Sequence, residues 1–293
     1  MNALNQTNPN QEPYIVSSKS FTAVAINCAA KAGEWIKSKL GSYEKLDIKV
    51  STHDLVTEVD KGAEKLIRRL ILTHFPDHAF LGEESTGIGA AAAASALHDV
   101  EESEYLWIVD PIDGTTNYVH GLPLYSVSIA LAHKGEIIVG VIYDPSRDEL
   151  YVAEKGKGAY VHGVPMKVSK EQKLEDSLIA TGFPTEQTVL LPLNLAGIQA
   201  VAPRVRNIRT IGSAALSLAY VATGRLSGFW ELNLNAWDLA AGMLLIQESG
   251  GRVTDTAGNP YHLGVRNVIA TNGHIHDELH TVLEQANVTG MDL

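Results

Sequence analysis

The sequence is short of the features that would tie it to an oxidising compartment, a membrane or a polyanion. Its 293 residues include one cysteine, Cys28, so no intramolecular disulfide can form. Cys28 falls on the apolar side of a helical pattern and reads as a buried, inert thiol. No run of about 18 apolar residues occurs, so no segment reads as membrane-spanning. The opening stretch MNALNQTNPNQEP is polar and lacks the basic flank and apolar core of a secretory signal. Residues 1–13 are therefore expected to be a disordered tail, and the protein to be cytoplasmic. Positive charge is also scarce: 23 Lys and Arg stand against 34 Asp and Glu, a net charge of −11. That argues against the basic face a nucleic-acid backbone needs, so no direct nucleic-acid binding is expected. Small anionic substrates stay open, because bound cations invert the local charge.

What is present is a full core. The chain is 45% hydrophobic with mean hydropathy near zero, enough for one large domain or two tightly joined halves. Phe21, Val24, Cys28, Ala32, Trp35, Ile36 and Leu40 recur at helical spacing, and Gly41 supplies a stop. Val59, Ala63, Leu66, Ile67, Leu70 and Ile71 make a second stripe that ends near Pro76, with Thr57 and Asp60 resembling a cap at its start. The alanine-rich stretch from 87 to 105 reads as a surface insertion with a short helical piece. From 105 to 168 the runs are β-like, with a hairpin at Lys134-Gly135. From Ser177 onward strands and helices alternate. The expected division is a subdomain over 14–176 with an antiparallel sheet, and an α/β subdomain over 177–293, met at a rigid joint.

The chemistry-bearing stretch is LWIVDPIDGTTNYVHG, from Leu106 to Gly121. An apolar strand delivers Asp110 at its C-terminal end, and Pro111 fixes one backbone angle. A turn there brings Asp110 and Asp113 to one side, with the Ile112 carbonyl between them, an oxygen set suited to a hard divalent cation. If Gly114 to Thr116 open a helix, their free N–H groups face an anion. The same stretch also reads as an ordinary turn with a helix N-cap, and nothing local decides between the two. Other acids stand at element ends: Glu83 and Glu84 after a strand, Asp238 at a helix start, and Asp54 and Asp60 flanking LVTEV. Converged, they would make a two-metal site; each alone reads as a cap or a solvated charge.

Together these motifs resemble the inositol monophosphatase family. WIVDPIDGTTNYVH is similar to its first signature and WDLAAGMLLIQESGG to its second. GEES, KVSTHDLVTEVD and IGSAALSLAYVATGRLSGFWE fit in the family order, so the resemblance spans roughly residues 20–285. It implies a layered α-β-α-β-α sandwich, the sugar phosphatase fold, as two subdomains around one metal-binding cleft. It implies a lithium-sensitive phosphomonoesterase with two or three Mg2+ per site, usually a homodimer. Glu83, Asp110 and the Ile112 carbonyl would hold the first ion, and Asp110, Asp113 and Asp238 the second. A third, weaker ion would lean on Glu83. The Gly114 and Thr115 amides would bind the phosphate. Thr115 and Asp60 would pair and, with Glu83, position and deprotonate the attacking water. Ser213, the Ala214 backbone and Glu231 would meet substrate hydroxyls, and Lys49 falls where the family has a lysine near the metals. The default substrate is myo-inositol 1-phosphate. Fructose 1,6-bisphosphate, histidinol phosphate and nucleotide 2′- or 3′-phosphates are the alternatives, as is a second role as a regulatory binding protein. The stretch between Glu83 and Asp110 is longer than is typical of the family, and residues 232–235 lie where members vary with substrate.

Overall fold

A computed structural model describes residues 20–40, 46–48, 55–87, 89–184 and 188–288, with the backbone alone for 46–48 and 55–57. The expectations for the tail, Gly41, Lys49, Asp54 and the Thr57 side chain lie outside the described residues.

The first half builds one sheet, with two long helices on one of its faces. Helix α1 (Phe21–Lys39) starts where the Ser20 side chain accepts from the Ala23 N–H. A short antiparallel ladder, β1 (Leu46–Ile48) with β2 (Leu55–Thr57), leads into α2 (Glu58–His74). Then come β3 (Ala79–Gly82), α3 (Ala90–His98), β4 (Tyr105–Asp113) and the single turn α4 (Thr115–Val119). Five antiparallel strands follow: β5 (Ser126–His133), β6 (Glu136–Asp144), β7 (Glu149–Glu154), β8 (Gly158–Val161) and β9 (Val164–Pro165). They form a seven-stranded sheet in sequence order β3 to β9, parallel only at β3/β4.

The second half makes a five-stranded sheet. Its elements are β10 (Leu178–Thr181), α5 (Leu190–Val201), β11 (Asn207–Arg209), α6 (Ala214–Ala222), β12 (Gly228–Glu231), α7 (Ala236–Glu248), β13 (Arg252–Asp255), β14 (Val268–Thr271) and α8 (His276–Gln285). The order is β11-β10-β12-β14-β13, with β10 parallel to both neighbours and the other two pairings antiparallel.

Alternating side chains assign the layers. Along β4 and β5, Trp107, Val109, Val127, Ile129 and Leu131 face a core shared with α1 and α2. Their neighbours Leu106, Ile108, Ala130 and Ala132 face a second core filled by α6 and α7. The five-stranded sheet lies across that second core through Ala180, Phe229 and Ala270. Its outer residues Ile179, Trp230 and Ile269 pack beneath α5 and α8. The architecture is thus the five-layered α-β-α-β-α sandwich. Both faces of both sheets are covered, which is why the strands read as nearly continuous apolar runs.

Cys28 is fully buried on α1, and burial pushes its thiol up to about 12, as an inert thiol requires. The alanine-rich insertion is more than a surface bulge. Its helix α3 places Ala93 and Leu97 in the central core beside Leu81 and Leu106. Among the described residues no helix is long and apolar enough to cross a membrane.

Candidate active site

Asp110 and Asp113 are brought together by a bulge, where a turn was expected. Asp110 pairs with Ser128 and Asp113 with Ser126, so three steps on β4 oppose two on β5. In a regular strand, residues three apart face opposite sides. One extra residue corrects this and puts both carboxylates on the same side. Pro111 fits there because a bulged position needs no ladder donor. Asp110 is buried, and its Oδ1 accepts from the Ile112 N–H at 2.9 Å.

Asp113 is held from the other half of the chain. It accepts from the Ala214 N–H at 3.2 Å, the Ala215 N–H at 2.9 Å and the Ser213 hydroxyl. Ser213 is also the N-cap of α6, accepting from the Leu216 N–H. A carboxylate therefore sits on the N-terminus of α6, where amide donors and the helix dipole favour negative charge. Ser213 and Ala214, expected to meet substrate hydroxyls, are directed at Asp113.

Asp238 serves two ends at once. At the third position of α7, its Oδ2 accepts from the Asn235 N–H at 2.6 Å and completes a capping box. The reading of this residue as a cap is therefore correct, yet incomplete. Asp110, Asp113 and Asp238 each present an oxygen, and these oxygens lie within 4.8 Å of one another. The Ser128 hydroxyl donates to the Trp237 carbonyl at 3.0 Å, fixing the start of α7 against β5. Arg266 holds the segment before it, donating to Asn233 at 2.7 Å and to Asn235 at 2.8 Å.

Glu83 follows β3, and its N–H donates to the Val109 carbonyl at 3.2 Å, which continues the β3/β4 pairing up to Asp110. The Glu83 carboxylate lies near enough to Asp110 for the two negative charges to repel. Behind them, Glu64 of α2 is buried and accepts from the Glu84 N–H at 2.7 Å. One turn earlier on α2, Asp60 is fully buried and accepts from the Thr115 hydroxyl at 3.1 Å. The Ile112 carbonyl, 3.0 Å from the same hydroxyl, competes for its one proton. Gly114 takes a left-handed backbone at φ 95° and starts α4. A side chain there would meet the Leu124 and Gly212 carbonyls, so only glycine suits the position. Asn117 donates to Leu124 O at 2.6 Å and Ile211 O at 2.9 Å, tying α4 to the loop that carries Ser213.

The charges are unbalanced. Burial, then Glu83, Asp113 and Asp238, raise the Asp110 carboxyl well above the ordinary range. Burial raises Asp113 to about 6 against the opposing pull of Ser213 and the Ala215 and Ala214 amides. Burial, with Asp113 and Glu83, raises Asp238, which keeps some exposed surface but lies deep in the cleft. Glu231, at the end of β12, is raised by burial and by Asp113 and Asp238. A concave, buried set of repelling carboxylates fits a hard divalent cation, which replaces repulsion with coordination.

Asp110, Asp113 and Asp238 thus converge, with Glu83 and Glu231 near enough to feel their charge and with Asp60 and Thr115 joined beside the Ile112 carbonyl. Sequence reasoning missed Glu64, Asn117, Asn194 and Arg266. An acid four residues after Asp60 on the apolar stripe was the signal for Glu64. The other three act through loop contacts that no spacing encodes.

The same arrangement of motifs has relatives. The model of the inositol monophosphatase family matches residues 17–287. The chain belongs to this family. It is 41% identical over 270 residues to inositol monophosphatase 2 of Solanum lycopersicum, covering 92% of this chain and 99% of that protein. It is 38% identical over 257 residues to Nus factor SuhB of Pasteurella multocida, covering 87% and 92%. Among solved structures, extragenic suppressor protein suhB from Bartonella henselae superposes with a TM-score of 0.81 at 41% identity, over 90% of this chain and 98% of that one. The inositol monophosphatase family consists of metal-dependent phosphatases of small phosphate esters, and this member is an inositol phosphate phosphatase with an acidic cluster that could bind metal.

Proposed function

We propose that this inositol monophosphatase-family member is a Mg2+-dependent hydrolase of a small polyol phosphate, with myo-inositol 1-phosphate as the default substrate. The observation that carries the reading is the convergence of Asp110, Asp113 and Asp238 oxygens within 4.8 Å. In this reading Glu83, Asp110 and the Ile112 carbonyl hold one ion, and Asp110, Asp113 and Asp238 another. Glu83 supports a weaker third. When bound, the ions neutralise the phosphate, activate water and stabilise the leaving alkoxide.

The protein groups supply position. Asp60, fully buried, accepts a hydrogen bond from the Thr115 hydroxyl on its Oδ1, and the proton stays on Thr115. The Thr115 oxygen then offers a lone pair to a water, and Glu83 offers a second acceptor. Together they aim that water in line with the ester, and Glu83 receives its proton. The Gly114 and Thr115 amides cradle the phosphate. Glu231 accepts from substrate hydroxyls, while Ser213 and Ala214 contribute through Asp113. No side-chain nucleophile is needed, consistent with an inert Cys28. A homodimer, a cytoplasmic location, lithium sensitivity and a subdomain boundary at 176/177 belong to the same reading.

The test is a panel of kcat/KM values with Mg2+, with and without Li+. Its substrates are myo-inositol 1-phosphate, fructose 1,6-bisphosphate, histidinol phosphate and 3′-phosphoadenosine 5′-phosphate. We expect the inositol ester to lead and Li+ to inhibit. A clear preference for another ester moves the assignment to that substrate, and no Mg2+-dependent turnover of any ester overturns it. The relative named Nus factor SuhB favours a second reading, a regulatory binding role beside catalysis. An Asp110→Asn protein that still captures transcription machinery in a pull-down would support it.

A further inference from the structure

Glu231 rests on a position that has no side chain. Strands β10 and β12 run parallel, with Thr181 opposite Trp230, so the next residues along, Gly182 and Glu231, are neighbours at the cleft end of the sheet. A Cβ built on Gly182 would fall inside the carboxylate group of Glu231, far closer than van der Waals contact allows. Gly182 is not among the residues with a left-handed backbone, so its glycine serves room and not conformation.

The Gly182 peptide is also pinned from behind. Asn194, on α5, is fully buried and uses both ends of its amide. Its Nδ2 donates to the Gly182 carbonyl at 2.7 Å, and its Oδ1 accepts from the Thr181 hydroxyl at 3.3 Å. A buried amide satisfied on both sides resists displacement, because breaking either bond strands a polar group. Added bulk at 182 is therefore relieved by the flexible end of Glu231 and not by the backbone.

We propose that Gly182, buttressed by Asn194, is a specificity-determining position that seats the Glu231 carboxylate and so selects esters of polyols over esters without free hydroxyls. This rests on the reading of Glu231 as an acceptor for substrate hydroxyls. Gly182 and Asn194 are positioning residues, acting through Glu231.

The experiment uses the full chain with Mg2+. It compares myo-inositol 1-phosphate with p-nitrophenyl phosphate, which has no alcohol hydroxyl, in wild type, Gly182→Ala and Glu231→Ala. Gly182→Ala is expected to lower the ratio of kcat/KM for the polyol over the aryl ester by about tenfold, the worth of one misplaced hydrogen bond. Most of the loss should appear in KM for the polyol. Equal losses on both esters, or an unchanged ratio beside a lowered one in Glu231→Ala, overturn the proposal while leaving the reading of Glu231 intact. An unchanged ratio in both variants overturns that reading and the proposal with it. Should Gly182→Ala fail to fold, Asn194→Ala decides. It loosens Gly182 without adding atoms and should lower the same ratio less, and an unchanged ratio in it overturns the proposal.

Discussion

Ser213 and Asp113, one hundred residues apart in the chain, meet as donor and acceptor at the N-terminus of α6. The contact joins the bulge of the seven-stranded sheet to a helix of the central layer. It makes Asp113 both a structural cap and a candidate metal ligand. It also separates two roles for Ser213. If Ser213 acts through Asp113, Ser213→Ala lowers kcat/KM on polyol and aryl phosphates alike. Losing the cap should also cost about 1 kcal/mol of stability. If it met substrate hydroxyls, only the polyol KM would rise. Parallel kinetics on the two esters, with a thermal melt, decide between these outcomes.

Thr115 and Asp60 make the second testable pair. Their hydrogen bond aims a hydroxyl lone pair while leaving substrate affinity to other groups. Thr115→Ala should therefore lower kcat by about 10²- to 10⁴-fold with KM nearly unchanged. Thr115→Ser, which keeps the hydroxyl, should recover most of the rate. A raised KM with an intact kcat in Thr115→Ala would contradict the water-positioning role.

Much of this was legible in the sequence, and the reasons are specific. Periodic stripes marked α1 and α2, and nearly continuous apolar runs marked β4 and β5, whose two faces are both buried. The candidate ligands were singled out by the resemblance to the family's motifs, because each acid alone reads equally as a cap or a solvated charge. Other features were hidden. Strand β11, Asn207 to Arg209, is three residues long and lies at a sheet edge, so only its pairing with β10 defines it. The bulge at Pro111-Ile112 depends on register against β5, which one strand cannot report. The short helical piece expected in the alanine-rich insertion is α3, but its contact with the core was hidden because an alanine run has no amphipathic contrast, and only Ala93 and Leu97 are buried. Glu64 was hidden by its own charge: an acid on an apolar stripe reads as an interruption until its partner, the Glu84 N–H, is seen.

His276 gives a pH prediction far from the cleft. It is buried between Thr254 and Thr271, each 3.0 Å from one ring nitrogen. Burial, with Arg252, lowers its pKa from 6.5 to about 4. Between those values the unfolded chain binds a proton that the folded chain refuses. The contribution to stability is therefore complete above about pH 6.5 and is lost as pH falls toward 4. Urea unfolding should show about 2 kcal/mol less stability from this residue at pH 5 than at pH 7.5. His276→Gln should remove that part of the slope. An identical pH slope in the variant would contradict the assignment.

The central claim is that the carboxylates gathered around Asp110 run a metal-dependent hydrolysis. Asp110→Asn is the variant of choice, because asparagine keeps an acceptor for the Ile112 N–H while replacing the charged carboxylate with a neutral amide. The measurement is the initial rate of phosphate release from myo-inositol 1-phosphate across a Mg2+ titration, on protein verified as folded by its thermal melt. The expected result is a folded variant whose rate falls by at least about a thousandfold and does not recover at high Mg2+. A folded Asp110→Asn protein with wild-type turnover and Mg2+ dependence would contradict it.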